Sequence, residues 1–526
     1  MVDRMSFVSV PFILFLLLLF TVYFSVPKKF QWIVLLVFSY WFYGLNDLGL
    51  MGYILFTTVT TFLAALWIEK RGRRAKEEIA AGAQKKETQK ACKKSQRGIM
   101  LLALVLNFGI LLYFKYWNTL LRIGSSLIGS SLTPVSLIMP LGISFYMFQS
   151  VGYVIDVYRG KTQADKNLFQ FALFVSFFPQ ILQGPISRHE QLAHQLYAQH
   201  DFDYLQFKYG AIRIMWGYFK KLVISDRALI AVNQIIGNYQ EYEGLELVFG
   251  MILFMLQIYT DFSGGIDITI GTAQCLGITL TENFRRPHFA TSVEEYWRRW
   301  HITLGAWMKE YVFYPLAISK KFISLGRTTR KIFGNYLGKL IPTCLAMLIT
   351  FLLVGIWHGS SMKYIVFGLY NGFWIILGIL LGPVLKDWNE KKLHVNTGTR
   401  SWHLFKILAT MLIVMVSKVF GIAPDMHSSM QIIRSMFTVF NPWVLFDGSL
   451  LKYGLDGANL MILALATAVL FFVSLKQEQG VHLRDELAKQ NLAFRWIFYL
   501  GAVFCILIFG IYGIGYDAAS FFYMQY

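Results

Sequence analysis

Two histidines stand where a histidine is costly. His358 closes an apolar run that begins at Leu340 and lies in Gly355-Ile356-Trp357-His358-Gly359, while His301 follows Trp297-Arg298-Arg299-Trp300. Apolar surroundings disfavour imidazolium, so a buried histidine keeps a neutral ring that accepts a proton near neutral pH. That is the chemistry of a general base acting on a hydroxyl. The competing reading of each is a core histidine with its hydrogen bonds satisfied. Asp261 and Asp267, in Tyr259-Thr260-Asp261-Phe262-Ser263-Gly264-Gly265-Ile266-Asp267, suit polar contacts inside a bundle or proton coupling in a transporter. His189, His194 and His200 share a polar loop at spacings that do not match zinc ligands, so no metal site is expected. Cys92, Cys275, Cys344 and Cys505 are scattered and form no Cys-x-x-Cys pair. No Walker phosphate loop, dinucleotide fingerprint or Gly-x-Ser-x-Gly elbow occurs, which argues against ATP hydrolysis and soluble-type serine esterase chemistry.

The elements that position these residues belong to a membrane protein. Of 526 residues, 56% are hydrophobic and 15% are charged, whereas soluble domains carry about a quarter charged residues. Ser6 to Val26 has no charge and is long enough to cross about 30 Å of hydrocarbon as a helix. Similar runs recur near 30–45, 48–68, 99–121, 135–155, 168–183, 209–224, 247–272, 339–357, 362–385, 404–423, 457–475 and 496–513. They lack the period-two alternation of a membrane barrel. The expectation is an all-α, polytopic membrane protein with roughly 10–12 spans, plus re-entrant or interfacial helices, forming one domain over 1–526. The first run reads as a retained span because Pro27-Lys28-Lys29, not a small-residue cleavage site, follows it.

The net charge of +19 does not point to nucleic acid, because it is concentrated between spans. Residues 69–98 hold eleven Lys or Arg against four Glu, which predicts a basic cytoplasmic loop beside anionic headgroups, helical or disordered. The 514–526 tail has Asp517 and no Lys or Arg, and is expected outside. Between these ends, Thr291 or Ser292 can cap a helix with Glu294 and Glu295 in its first turn. Trp297, Trp300, Leu304, Trp307 and Tyr311 follow at helical spacing, predicting an aromatic stripe on a helix too charged to cross lipid freely.

The segment Trp297-Arg298-Arg299-Trp300-His301, followed by Trp307, Lys309, Glu310 and Tyr311, resembles the signature of bacterial membrane-bound O-acyltransferases. So does Asn283-Phe284-Arg285-Arg286-Pro287 before it. Phe178-Pro179-Gln180 to Gly184-Pro185-Ile186, Asp261-Phe262-Ser263-Gly264 and Trp357-His358-Gly359 agree, in the family's order, over roughly residues 140 to 375. The resemblance implies spans ringed around a thinned core, with a tunnel where donor and acceptor meet. It implies His358 as the key catalytic histidine and His301 as the second. The wording is similar to the alginate O-acetyltransferase branch, except that Tyr314-Pro315-Leu316-Ala317-Ile318-Ser319-Lys320 replaces the usual Gly-rich turn.

From that resemblance follow an acetyl group taken from a cytoplasmic thioester and its export to an extracellular or cell-wall polysaccharide. Multi-pass residence in a bacterial cell membrane and an extracytoplasmic SGNH-hydrolase-like partner follow as well. The donor is expected to be acetyl-CoA, with an acyl carrier protein thioester as the alternative, and no bound cofactor is expected. Arg285, Arg286, Arg298 and Arg299 are candidate contacts for donor phosphates, against interfacial anchoring. The ending Phe521-Phe522-Tyr523-Met524-Gln525-Tyr526 is similar to a motif of extracellular acylation systems, with Tyr523 as an acyl carrier and catalytic residue. The competing functions are D-alanyl transfer to teichoic acid and, in a different class, a polytopic transporter or flippase.

Overall fold

Backbone in hydrocarbon must satisfy its own N–H and C=O groups, so apolar runs of this kind fold as helices. The computed structural model describes residues 5–129, 133–135 and 137–512; the 514–526 tail, with Tyr523, lies outside the described residues. Among the described residues the chain is helical throughout, and the one bridge of strand type joins Phe284 to Trp300. Eight helices among the described residues, from Met51–Ala80 to Leu492–Phe509, are long and apolar enough to cross a membrane, and Val10–Ser25 is a shorter apolar helix. Other apolar runs fold as shorter pieces. Residues 168–183 divide into Leu168–Ser176 and Phe178–Gln183, and residues 209–224 fall across Tyr204–Tyr218 and the π-helical Phe219–Ser225.

The chain forms two compact units. The first gathers 5–214 and 265–281. Its basic stretch 69–98 is helical: Met51–Ala80 and Lys85–Ile128 run through it as a hairpin. Gln96 Nε2 donates to the Ile68 carbonyl at 2.9 Å, and Arg71 pairs with Glu78 at 2.9 Å. Phe12, Phe15, Phe42 and Phe178 cluster, with Phe12 edge-on to Phe42 and Phe15 edge-on to Phe178, and Arg213 Nε donates to Asp267 Oδ1 at 2.9 Å.

The second unit gathers 215–264 and 282–512 and holds both candidate histidines. Lys320–His358 is interrupted at Gly334 (φ 73°), so its second half runs separately up to His358. That half lies against Met362–Lys391 at a distance only glycine permits. A Cβ on Gly355 would stand 2.3 Å from the Tyr364 carbonyl oxygen, and one on Gly368 would stand 2.3 Å from that of Phe351. Small residues at such crossings let helices approach where lipid gives no hydrophobic drive. The glycines around His358 therefore serve this approach. Gly359 likewise receives the Tyr364 ring.

Gly355→Ala is expected to force the two helices apart and lower stability by about 1–3 kcal/mol. Gly378→Ala, on the same second helix but with open space around the position, is expected to be neutral or stabilising by up to about 1 kcal/mol. Thermal unfolding of the two purified variants in detergent checks the contrast.

Candidate active site

The residues predicted to form one aromatic-striped helix form two, because the chain turns sharply at His301. Ser292 caps the first, Val293–Arg299, with its hydroxyl accepting from Glu295 N at 3.1 Å. Trp300 is extended and His301 takes a left-handed backbone conformation (φ 46°, ψ 54°) before Ile302–Met308 begins. A histidine pays about 1–2 kcal/mol for that conformation, and such strain persists only where surrounding bonds enforce it. Here Ile302 N donates to the Asn283 carbonyl at 3.0 Å, and Arg285 N donates to the Arg299 carbonyl at 2.9 Å. The stripe is thereby split: Trp297 and Trp300 sit before the turn, Leu304 and Trp307 after it.

The Asn283 side chain decides how the His301 ring is used. Its Oδ1 receives the Thr303 N–H at 3.0 Å and the Thr303 hydroxyl at 2.9 Å, and lies 3.2 Å from His301 Nδ1. A backbone N–H can only donate, so this Asn283 atom is an acceptor, and His301 Nδ1 must carry a proton to bond it. The lone pair of the neutral ring is then on Nε2. Burial, and secondarily the Lys418 ammonium, push the His301 pKa down to about 3. The ring is neutral throughout the physiological range, 2% exposed, with the Phe262 ring edge-on at 5.0 Å.

His358 approaches from the end of its own helix. Its ring lies 4.7 Å from that of Trp357 and 5.2 Å from Phe367, and Trp357 in turn lies 6.5 Å from the His301 ring. The Trp357 indole is thus a ring neighbour of both histidines. Trp297 ties the segment before the turn to the neighbouring helices: its Nε1 donates to Asn371 Oδ1 at 3.1 Å, and Asn371 Nδ2 donates to Ser417 Oγ at 2.7 Å. The structure gives His301 and His358 shared aromatic neighbours, His301 buried and His358 half-buried, where a neutral imidazole can take a hydroxyl proton.

The four arginines do not form one open cationic surface. Arg299 pairs with Glu295 at 2.7 Å and with Glu478 at 2.9 Å, and Arg286 pairs with Glu478 at 2.5 Å. Arg298 is exposed and 3.8 Å from Glu294, and Arg285 is exposed. The aspartates are in ion pairs too. Lys221 Nζ bridges Asp261 at 2.7 Å and Asp226 at 2.8 Å, all three buried. The three loop histidines do not converge on one point. His189 pairs with Asp165 at 2.7 Å, His194 bonds the Glu190 carbonyl, and His200 bonds the Gln195 carbonyl.

Three features of the site escape a reading of the sequence. His288, in Pro287–Phe289, faces Tyr259 at 4.9 Å, and burial followed by the Lys418 charge pushes its pKa down to about 4. Asn371 and Ser417 read as ordinary polar residues in apolar runs. Lys418, in Arg400–Ile422, lies with its ammonium 4.1 Å from the Trp300 ring. Its signal was present: an ionisable residue inside an apolar run.

Residues 37–329 match the profile of MBOAT, the membrane-bound O-acyltransferase family. The probable alginate O-acetylase AlgI of Pseudomonas aeruginosa is 32% identical over 469 residues, 88% of this chain and 80% of that one. A peptidoglycan O-acetyltransferase of Helicobacter pylori is 27% identical, covering 64% of each chain. A teichoic acid D-alanyltransferase of Bacillus subtilis is 28% identical over 45% of this chain and 58% of its own.

Asn283→Ala removes the acceptor for three buried donors and releases the His301 ring. Turnover is expected to fall about a hundredfold, the scale of a small misplacement in a site. Steady-state kinetics beside a thermal-unfolding curve distinguishes this from global loss of fold.

Proposed function

The chain belongs to the membrane-bound O-acyltransferase family and is an acyltransferase of the membrane, and we propose that it passes an acetyl group from a cytoplasmic thioester outward, for O-acetylation of an extracellular or cell-wall polysaccharide. The observation that carries this reading is that the rings of His358 and of the neutral His301 share Trp357 as a neighbour. A thioester is reactive, whereas a hydroxyl becomes a competent nucleophile only when a base removes its proton. In the proposed step His358 takes the hydroxyl proton as the oxygen bonds to the acyl carbon. The C–S bond then breaks, and the leaving thiolate is reprotonated. His301, anchored through Nδ1, orients the reacting groups.

The relatives support the choice of acyl group. The alginate O-acetylases match most of the chain, whereas the D-alanyltransferase matches under half of it. The rest of the reading is a multi-pass protein of the bacterial cell membrane, with acetyl-CoA as donor and an SGNH-hydrolase-like partner completing transfer outside. Tyr523 is the proposed relay: its phenol takes the acyl group at the outer face and yields it to the partner.

His358→Ala is expected to abolish acylation while leaving expression and unfolding temperature near wild type, since a lost base costs rate more than stability. Tyr523→Phe should stop delivery to the outer polymer and leave no acylated carboxyl-terminal peptide by mass spectrometry. Ester-linked acetate released from the surface polymer by mild alkali measures both. Release of D-alanine in its place would reassign the acyl group, and wild-type transfer by His358→Ala would remove that histidine from the chemistry.

A further inference from the structure

Acyl transfer from a thioester to a hydroxyl places negative charge on the carbonyl oxygen at the tetrahedral stage, and among aromatic side chains a fixed positive partner stabilises that charge. The cations near the turn at His301 are few. Arg299 and Arg286 are held by Glu295 and Glu478, and Arg298 projects outward with its side chain 68% exposed. His301 and His288 stay neutral at physiological pH, with pKa values near 3 and 4.

Lys418 differs from all of these. It is 6% exposed, and its ammonium lies 4.1 Å from the Trp300 ring, 5.8 Å from Tyr296 and 6.0 Å from Trp297. Trp300 is the residue immediately before His301 in the chain. No carboxylate among the described residues pairs with Lys418. Aromatic faces stabilise a desolvated ammonium through their ring quadrupole, which holds the charge in place without cancelling it. Elsewhere in the same unit a buried lysine is treated in the opposite way: Lys221 sits between Asp226 and Asp261. The contrast sets Lys418 apart as a buried lysine with aromatic rather than carboxylate neighbours beside the turn at His301.

We propose that the Lys418 ammonium is the positive charge that balances the anionic tetrahedral stage of acyl transfer at the His301–His358 centre. The proposal rests on the acyl-transfer reading above. As the hydroxyl oxygen bonds to the acyl carbon, its proton goes to His358 and the carbonyl π pair moves onto oxygen, where the Lys418 field stabilises it. The pair returns as the C–S bond breaks, and the thiolate leaves with the proton from His358. Lys418 itself gains and loses nothing, so it acts as an electrostatic positioning residue and not as an acid or base.

The test compares Lys418→Met and Lys418→Arg with wild type in a strain lacking the chromosomal copy. Initial rates of ester-linked acyl deposition on the surface polymer are divided by the amount of protein in the membrane, and unfolding temperatures are taken on purified protein. A buried ammonium with a purely structural role is replaced by an apolar side chain of similar volume at little cost or with a gain in stability. The expected result is therefore a split: Lys418→Met unfolds at or above the wild-type temperature yet transfers about a hundredfold more slowly. Lys418→Arg, which keeps the charge, recovers a substantial part of the rate. Two results overturn the proposal: Lys418→Met transferring within about threefold of wild type, or both variants losing rate only in step with loss of folded protein. If wild type deposits no more acyl ester than the deletion strain, the acyl-transfer reading falls and takes this role of Lys418 with it.

Discussion

One carboxamide oxygen organises the site. Asn283 Oδ1 faces the His301 ring, the Thr303 N–H and the Thr303 hydroxyl together, all of them buried. Non-helical backbone at membrane depth survives only where its polar groups find partners inside the protein. The turn at Trp300–His301 meets that requirement through Asn283 and through the pairing of 283–285 with 299–302. Without those bonds His301 has no reason to occupy a left-handed backbone conformation, and the two short helices around it could continue as one. The strained turn aims the imidazole, and the anchoring oxygen settles which nitrogen carries the proton.

Charge is managed around this turn in three ways. Lys221 is enclosed by two aspartates, a buried pairing whose removal from one side would leave an uncompensated charge. Arg286 and Arg299 are joined to Glu478 at the end of Gly457–Glu478, which ties that helix to the segment bearing His301. Lys418 instead rests on aromatic faces. The first two arrangements hold the fold, and the third leaves a field for chemistry. Glycine contacts at Gly355 and Gly368 then bring the His358 helix close against Met362–Lys391, whose Phe367 completes the aromatic surround.

The membrane class was legible because it depends on local composition, the long apolar runs, and the same reading singles out His358 at the end of one of them. The helical nature of 69–98 was left open, since a basic, polar stretch reads equally as helix or coil. The break at His301 could not be read from nearby residues. Every residue from Val293 to Met308 tolerates a helix, and the turn is imposed by Asn283, which lies earlier in the chain. Arg286 and Arg299 read as free cations for a similar reason, because Glu478 is nearly two hundred residues away in sequence. Lys418 goes unremarked in the sequence, and only the packing of Arg400–Ile422 against Val293–Arg299 sets it beside the aromatic rings.

The central claim is that His301 is held neutral, with its proton on Nδ1 and its lone pair on Nε2. Solid-state 15N NMR of histidine-labelled protein in lipid, with the His301 signals assigned by difference against His301→Gln, reads this directly. The account predicts a neutral Nδ1-protonated ring that does not titrate between pH 5 and 8, as expected for a group whose pKa is lowered to about 3. An Nε2-protonated ring, or an imidazolium appearing within that range, would contradict it.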